Sequence, residues 1–73
     1  MDKRSLSIAG HRTSIALEPE FWAALELMAA EQSLPMAALI RDIDETRETA
    51  NLSSAVRLAV LRWYQRARVP APD

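Results

Sequence analysis

His11-Arg12-Thr13-Ser14-Ile15-Ala16-Leu17-Glu18-Pro19-Glu20-Phe21-Trp22 is the stretch on which the fold turns. Its first half alternates. Thr13, Ile15 and Leu17 fall on one side, and Arg12, Ser14 and Ala16 on the other, the period of a half-buried strand. Its second half changes period. Proline suits the first helical position, and Glu18 and Glu20 suit the positive end of a helix dipole. Phe21, Trp22, Leu25, Met28, Ala29 and Gln32 then recur at helical spacing. One short strand running into an amphipathic helix is expected. The rest of the chain reads helical, so this strand has no visible partner. An unpaired strand leaves backbone donors and acceptors unsatisfied, and pairing with the same strand of a second copy would satisfy them.

Upstream, residues 1–10 show no pattern and read as a flexible basic arm. Downstream, Ser33-Leu34-Pro35 breaks the first helix. A second helix starts near Pro35, with Met36, Leu39, Ile40 and Ile43 on one face, and weakens over Thr46–Ala50. A third starts at Asn51-Leu52-Ser53-Ser54, which offers several N-caps. It carries Leu52, Ala55, Val56, Leu58, Ala59, Val60, Leu61, Trp63 and Tyr64, more than one apolar face, as buried or interface helices do. Residues 11–68 form the expected domain, and Val69–Asp73, with two prolines, the expected frayed tail.

Composition bounds the function. A chain of 73 residues is one small domain, and such a domain buries little surface unless stapled or shared with a partner. It has no cysteine and a single histidine, so disulfides, thiolate metal sites and multi-histidine centres are excluded. Residues 1–17 carry three bases against one acid, residues 18–48 two against eight, and residues 49–73 four against one. An acidic middle between basic ends fits a local nucleic-acid contact. No apolar run approaches the ~18 residues of a membrane span. The start Met-Asp-Lys-Arg-Ser lacks the apolar stretch of a signal peptide, so a cytoplasmic protein without membrane contact is expected.

Catalysis has little to stand on: no nucleophile has a base at readable spacing, and no glycine-rich phosphate loop occurs. Asp42 with Glu45, and Asp44 with Glu48, read as a solvated acidic face rather than a metal site. Trp22, Trp63 and Tyr64 read as core aromatics. No enzyme activity, cofactor or metal is expected. The strand face is the better candidate. Two antiparallel copies would show Arg12, Ser14 and Ala16 twice on one surface, and a two-stranded ribbon fits the major groove. The alternation alone suits a plain solvent face equally well. Lys3 and Arg4 are placed to reach phosphates from the arm, and His11 to reach DNA beside the strand.

The His11–Trp22 stretch, with Leu39-Ile40-Arg41-Asp42-Ile43-Asp44 and Asn51-Leu52-Ser53-Ser54-Ala55-Val56-Arg57, resembles a group of short bacterial ribbon-helix-helix proteins over about residues 5–66. The resemblance implies a mainly α homodimer with an intermolecular antiparallel β-ribbon, elaborated here by an additional C-terminal helix. It implies a transcriptional regulator of double-stranded DNA, with Arg12, Ser14 and Ala16 reading bases and the helix start at Pro35 and Met36 gripping phosphate. Relatives usually carry glycine, an apolar residue and serine, then asparagine, around that helix start; Ser33, Pro35 and Ala37 stand at the matching positions here. The alternative reading is a protein-interaction module or antitoxin-like dimer that binds a protein partner and little DNA.

Overall fold

The computed structural model describes residues 1–67, so the tail reading for Val69–Asp73 lies outside the described residues. Two strands precede three helices: β1 (Asp2–Ile8), β2 (His11–Leu17), α1 (Pro19–Glu31), α2 (Met36–Thr46) and α3 (Leu52–Ala67). One strand was expected, and the arm supplies the second. β1 pairs antiparallel with β2 in the same chain, from Asp2 opposite Leu17 to Ile8 opposite His11.

The cause is local. Leu6 and Ile8 alternate with Ser5 and Ser7, and Ile8 is buried while Leu6 packs against the core. Ala9 and Gly10 between the strands both adopt positive φ, 52° and 81°. A two-residue hairpin of right-handed twist requires that pair of conformations. Glycine adopts it freely, whereas at Ala9 the Cβ opposes it. The strand expected to need a second copy is thus paired within the chain, and only its edge away from β1 is free of a neighbouring strand among the described residues.

α1 begins with Pro19 as expected and ends in a tight motif. Ser33 takes φ 56°, its amide donates to Ala30 O (3.1 Å), and the Leu34 amide donates to Ala29 O (2.9 Å). These paired bonds are a Schellman cap, which satisfies carbonyls the helix leaves open. α2 follows Pro35, whose carbonyl accepts the Leu39 amide at 3.1 Å. α3 is capped by Asn51, whose Oδ1 accepts the Ser54 amide at 3.3 Å.

The inner face of the hairpin closes on the three helices. Ile8, Ile15 and Leu17 meet Trp22, Leu25 and Met28 of α1, Leu39, Ile40 and Ile43 of α2, and Ala55, Val56 and Val60 of α3 in one core. Among the described residues, no polar or charged residue is buried with them. Trp22 is 1% exposed, and its indole N–H donates to the Asp2 carbonyl at 2.8 Å, tying the start of β1 to α1. Tyr64, read from sequence as a core aromatic, is exposed, with its ring edge-on to half-buried Trp63 at 4.9 Å.

Candidate nucleic-acid interface

The register sorts every strand residue to one of two faces. Asp2, Arg4, Leu6 and Ile8 share the inner face with Leu17, Ile15, Thr13 and His11. Lys3, Ser5 and Ser7 share the outer face with Ala16, Ser14 and Arg12, to which they are directly opposed. All six are exposed except Ala16, which is half-buried. The Ser5 and Ser14 hydroxyls lie 3.2 Å apart across the ribbon. Lys3 and Arg12 stand at opposite ends of this face, and no acid shares it. Neither forms an ion pair among the described residues.

The sequence candidates therefore separate. Lys3, Arg12, Ser14 and Ala16 come together on the outer face. Arg4 lies on the inner face, its guanidinium 4.5 Å from the Trp22 ring centroid and 3.2 Å from Glu26 Oε1. His11 is exposed at the turn end, where it lines a groove with Ile8, Arg12, Asp44 and Arg47. That groove sits at the C-terminal end of α2. Pro35 and Met36 lie at the other end, separated by a helix of about 16 Å at 1.5 Å per residue. Pro35 has no amide proton, so the first-turn donors of α2 are Met36, Ala37 and Ala38.

Ser5 and Ser7 were missed by sequence reading. The alternation of Leu6 and Ile8 before Gly10 was the signal, and it was obscured by the charges of Asp2, Lys3 and Arg4.

The hairpin is about 20 Å long at 3.3 Å per residue, and its two strands are about 5 Å apart. With side chains it fits a major groove about 12 Å wide. Neither Lys3 nor Arg12 is ion-paired with an acid of residues 18–48 among the described residues, although Asp44 lines the turn-end groove together with Arg12. At the hairpin's other end Glu18 is bound by Arg57, with Nη2 and Nε both donating to Oε1 at 2.9 and 3.1 Å. The Glu18 carboxyl is held below its usual value, first by a backbone hydrogen bond at Glu18 itself and then by Arg57.

A ribbon-helix-helix domain model matches residues 1–64, all of the hairpin, α1 and α2 and most of α3. The chain belongs to the ribbon-helix-helix family. Ribbon-helix-helix domains are in general those of non-enzymatic DNA-binding regulators, and they usually dimerise. This ribbon-helix-helix chain carries both strands of a ribbon itself and adds α3 to the two helices of the minimal module. No curated protein and no solved structure matches it. Among the described residues, no helix is long and apolar enough to cross a membrane, and no three acidic or histidine side chains cluster as metal ligands.

Proposed function

We propose that this chain is a DNA-binding transcriptional regulator of the cytoplasm, working as a homodimer, that lays the outer face of its own β1–β2 hairpin into the major groove. The acid-free outer face, with Lys3 opposite Ala16 at one end, Arg12 opposite Ser7 at the other and the Ser5 and Ser14 hydroxyls between them, carries this reading. Arg12 reads a guanine edge with two hydrogen bonds, and Ser14 accepts from or donates to a base. Ala16 offers a methyl surface to thymine. Lys3 sits against a phosphate, and its contribution falls with salt as counterions return to the DNA. His11 at the turn end, and the Met36 amide at the start of α2, reach flanking phosphates. Arg4 serves the fold, being held over Trp22. Occupancy of the groove is the whole mechanism: a bound dimer excludes other proteins from the neighbouring promoter.

Fluorescence anisotropy tests this reading. The protein is titrated with random duplex DNA and with the sequence upstream of its own gene, at two salt concentrations. Selective, salt-sensitive binding is expected. Arg12→Ala should weaken the selective complex by about 5- to 100-fold, the worth of one bidentate base contact. Lys3→Ala should weaken all duplexes alike and lower the salt slope by about 1. A folded protein that binds no duplex at low salt would overturn the proposal.

A further inference from the structure

The helices carry an open apolar groove that the proposed DNA contact does not use. α1 and α3 enclose about 380 Å³ between them. Ala24 and Val60 are buried and form its floor, while exposed Leu58, Leu61 and Tyr64 and half-buried Phe21 form its walls. Scattered exposed leucines are ordinary, but a contiguous apolar groove with a few polar groups at its edge is the form that ligand sites take. Its dimensions suit a small molecule. Along α3 the lining runs from Arg57 to Tyr64, about 10 Å at 1.5 Å per residue. Along α1 it runs from Glu20 to Ala24, little more than one turn. That is far short of the roughly 20–30 residues a side of a stable protein interface.

We infer that this groove binds a small apolar amine, a molecule with an aliphatic body and one ammonium head. Charge at the mouth selects the head. Two charged side chains line the groove, Glu20 and Arg57. Arg57 is already engaged: its Nε and Nη2 both donate to Glu18 Oε1, at 3.1 and 2.9 Å, and its guanidinium lies 5.7 Å from the Phe21 ring centroid. Glu20 is exposed and forms no ion pair among the described residues. Glu18, Glu20 and Arg57 together therefore leave one negative charge unbalanced. A carboxylate ligand would have to take Arg57 from Glu18 and then face Glu20. An ammonium pairs with Glu20 and leaves the Glu18–Arg57 bridge intact. The rings of Phe21 and Tyr64 favour the same sign, since an aromatic face attracts a cation. The aliphatic body lies over Ala24, Leu58, Val60 and Leu61, where it leaves water. A neutral ligand gains that burial alone.

The inference stands apart from DNA binding, and its test contains no DNA, so the two fail separately. Octylamine, octan-1-ol and octanoate share one chain and differ only in the head. Each is titrated into the isotope-labelled full chain at pH 7 and low salt, and amide chemical shifts are followed by nuclear magnetic resonance. The amides of Phe21, Ala24, Leu58, Leu61 and Tyr64 should move with octylamine and saturate at one molecule per chain. Octylamine should bind about 2- to 5-fold more tightly than octan-1-ol, the worth of one accessible ion pair, and octanoate should bind more weakly than either. Glu20→Gln should remove the amine's advantage, as should high salt. Leu61→Gln should weaken octylamine and octan-1-ol alike with the circular dichroism spectrum intact, because Leu61 is 51% exposed. Equal affinity for amine and alcohol, or tighter binding of octanoate, would overturn the inference. Shifts confined to the acidic face of α2 at Asp42, Asp44 and Glu45 would overturn it too. So would groove amides that ignore all three ligands yet shift with protein concentration, the result expected of a groove covered by a second copy.

Discussion

Trp22→Phe is the sharpest test of an in-chain hairpin, because Trp22 is what fastens β1 to the helices. Three contributions are lost in part. The indole donor to Asp2 O, at 2.8 Å, has no counterpart in phenylalanine, which costs about 1 kcal/mol. The smaller ring buries roughly 40 Å² less apolar surface, about another 1 kcal/mol. Arg4, 4.5 Å from the ring centroid, loses part of a cation–π contact worth about 0.5–1 kcal/mol at an accessible site. The sum is about 2 kcal/mol, a large share of the roughly 4–11 kcal/mol that a domain of this length commands. At a urea dependence of about 1 kcal/mol per molar, the midpoint should fall by about 2 M. The assay is urea unfolding followed by far-ultraviolet circular dichroism, with amide exchange of β1 measured alongside. Trp63→Phe is the control. Trp63 is only half-buried, and its indole reaches Glu31 at 3.4 Å on the surface, so its loss should cost less than about 1 kcal/mol. Equal losses at the two tryptophans, or a Trp22→Phe loss below about 0.7 kcal/mol with β1 protection unchanged, would refute the anchoring role.

The remaining expectations concern the backbone and one carboxylate. Ser33→Gly relieves a left-handed residue at the α1 cap and should raise stability by about 1 kcal/mol in thermal or urea unfolding. Ala9→Asn places a residue that tolerates positive φ before Gly10 and should stabilise by a similar amount, about 0.5–1 kcal/mol, with the far-ultraviolet spectrum unchanged. The folded-state pKa of Glu18 lies below its ordinary value of 4.5, so this group's stabilisation is fully present above that pH and is lost as pH falls through the folded-state value. Arg57→Gln should move the Glu18 titration, followed by nuclear magnetic resonance, part of the way back toward 4.5. It should not abolish the shift, because the backbone hydrogen bond remains.

Much of the helical layer was legible because its signals are local. Pro19 after Glu18, the spacing of Trp22, Leu25 and Met28, and the break at Ser33-Leu34-Pro35 mark α1 from sequence alone. Asn51 before an apolar run marks α3, although which residue of Asn51-Leu52-Ser53-Ser54 does the capping emerged only with the Ser54 amide bound to Asn51 Oδ1. The start of the chain was misread for a physical reason. β1 is polar at Asp2, Lys3, Arg4, Ser5 and Ser7, and only Leu6 and Ile8 carry its apolar face. A strand this polar declares itself through its partner, and that partner lies across the turn at Ala9 and Gly10.

The candidate interface divides in the same way. Arg12, Ser14 and Ala16 were assigned to one face by alternation, since the two-residue period of a strand does not depend on what it pairs with. Separating Lys3 from its neighbour Arg4 needed the register, which sends Lys3 outward beside Ala16 and Arg4 inward over Trp22. Composition and periodicity by themselves determined the helices, the strand at His11–Leu17 and which of its residues share a face. Tertiary structure alone decided that β1 completes the ribbon, that no acid shares the ribbon's outer face, and that Leu58, Leu61 and Tyr64 flank an open groove. Periodicity is written between neighbours in the chain, whereas pairing, charge separation and exposure are settled by residues far apart in sequence once they meet.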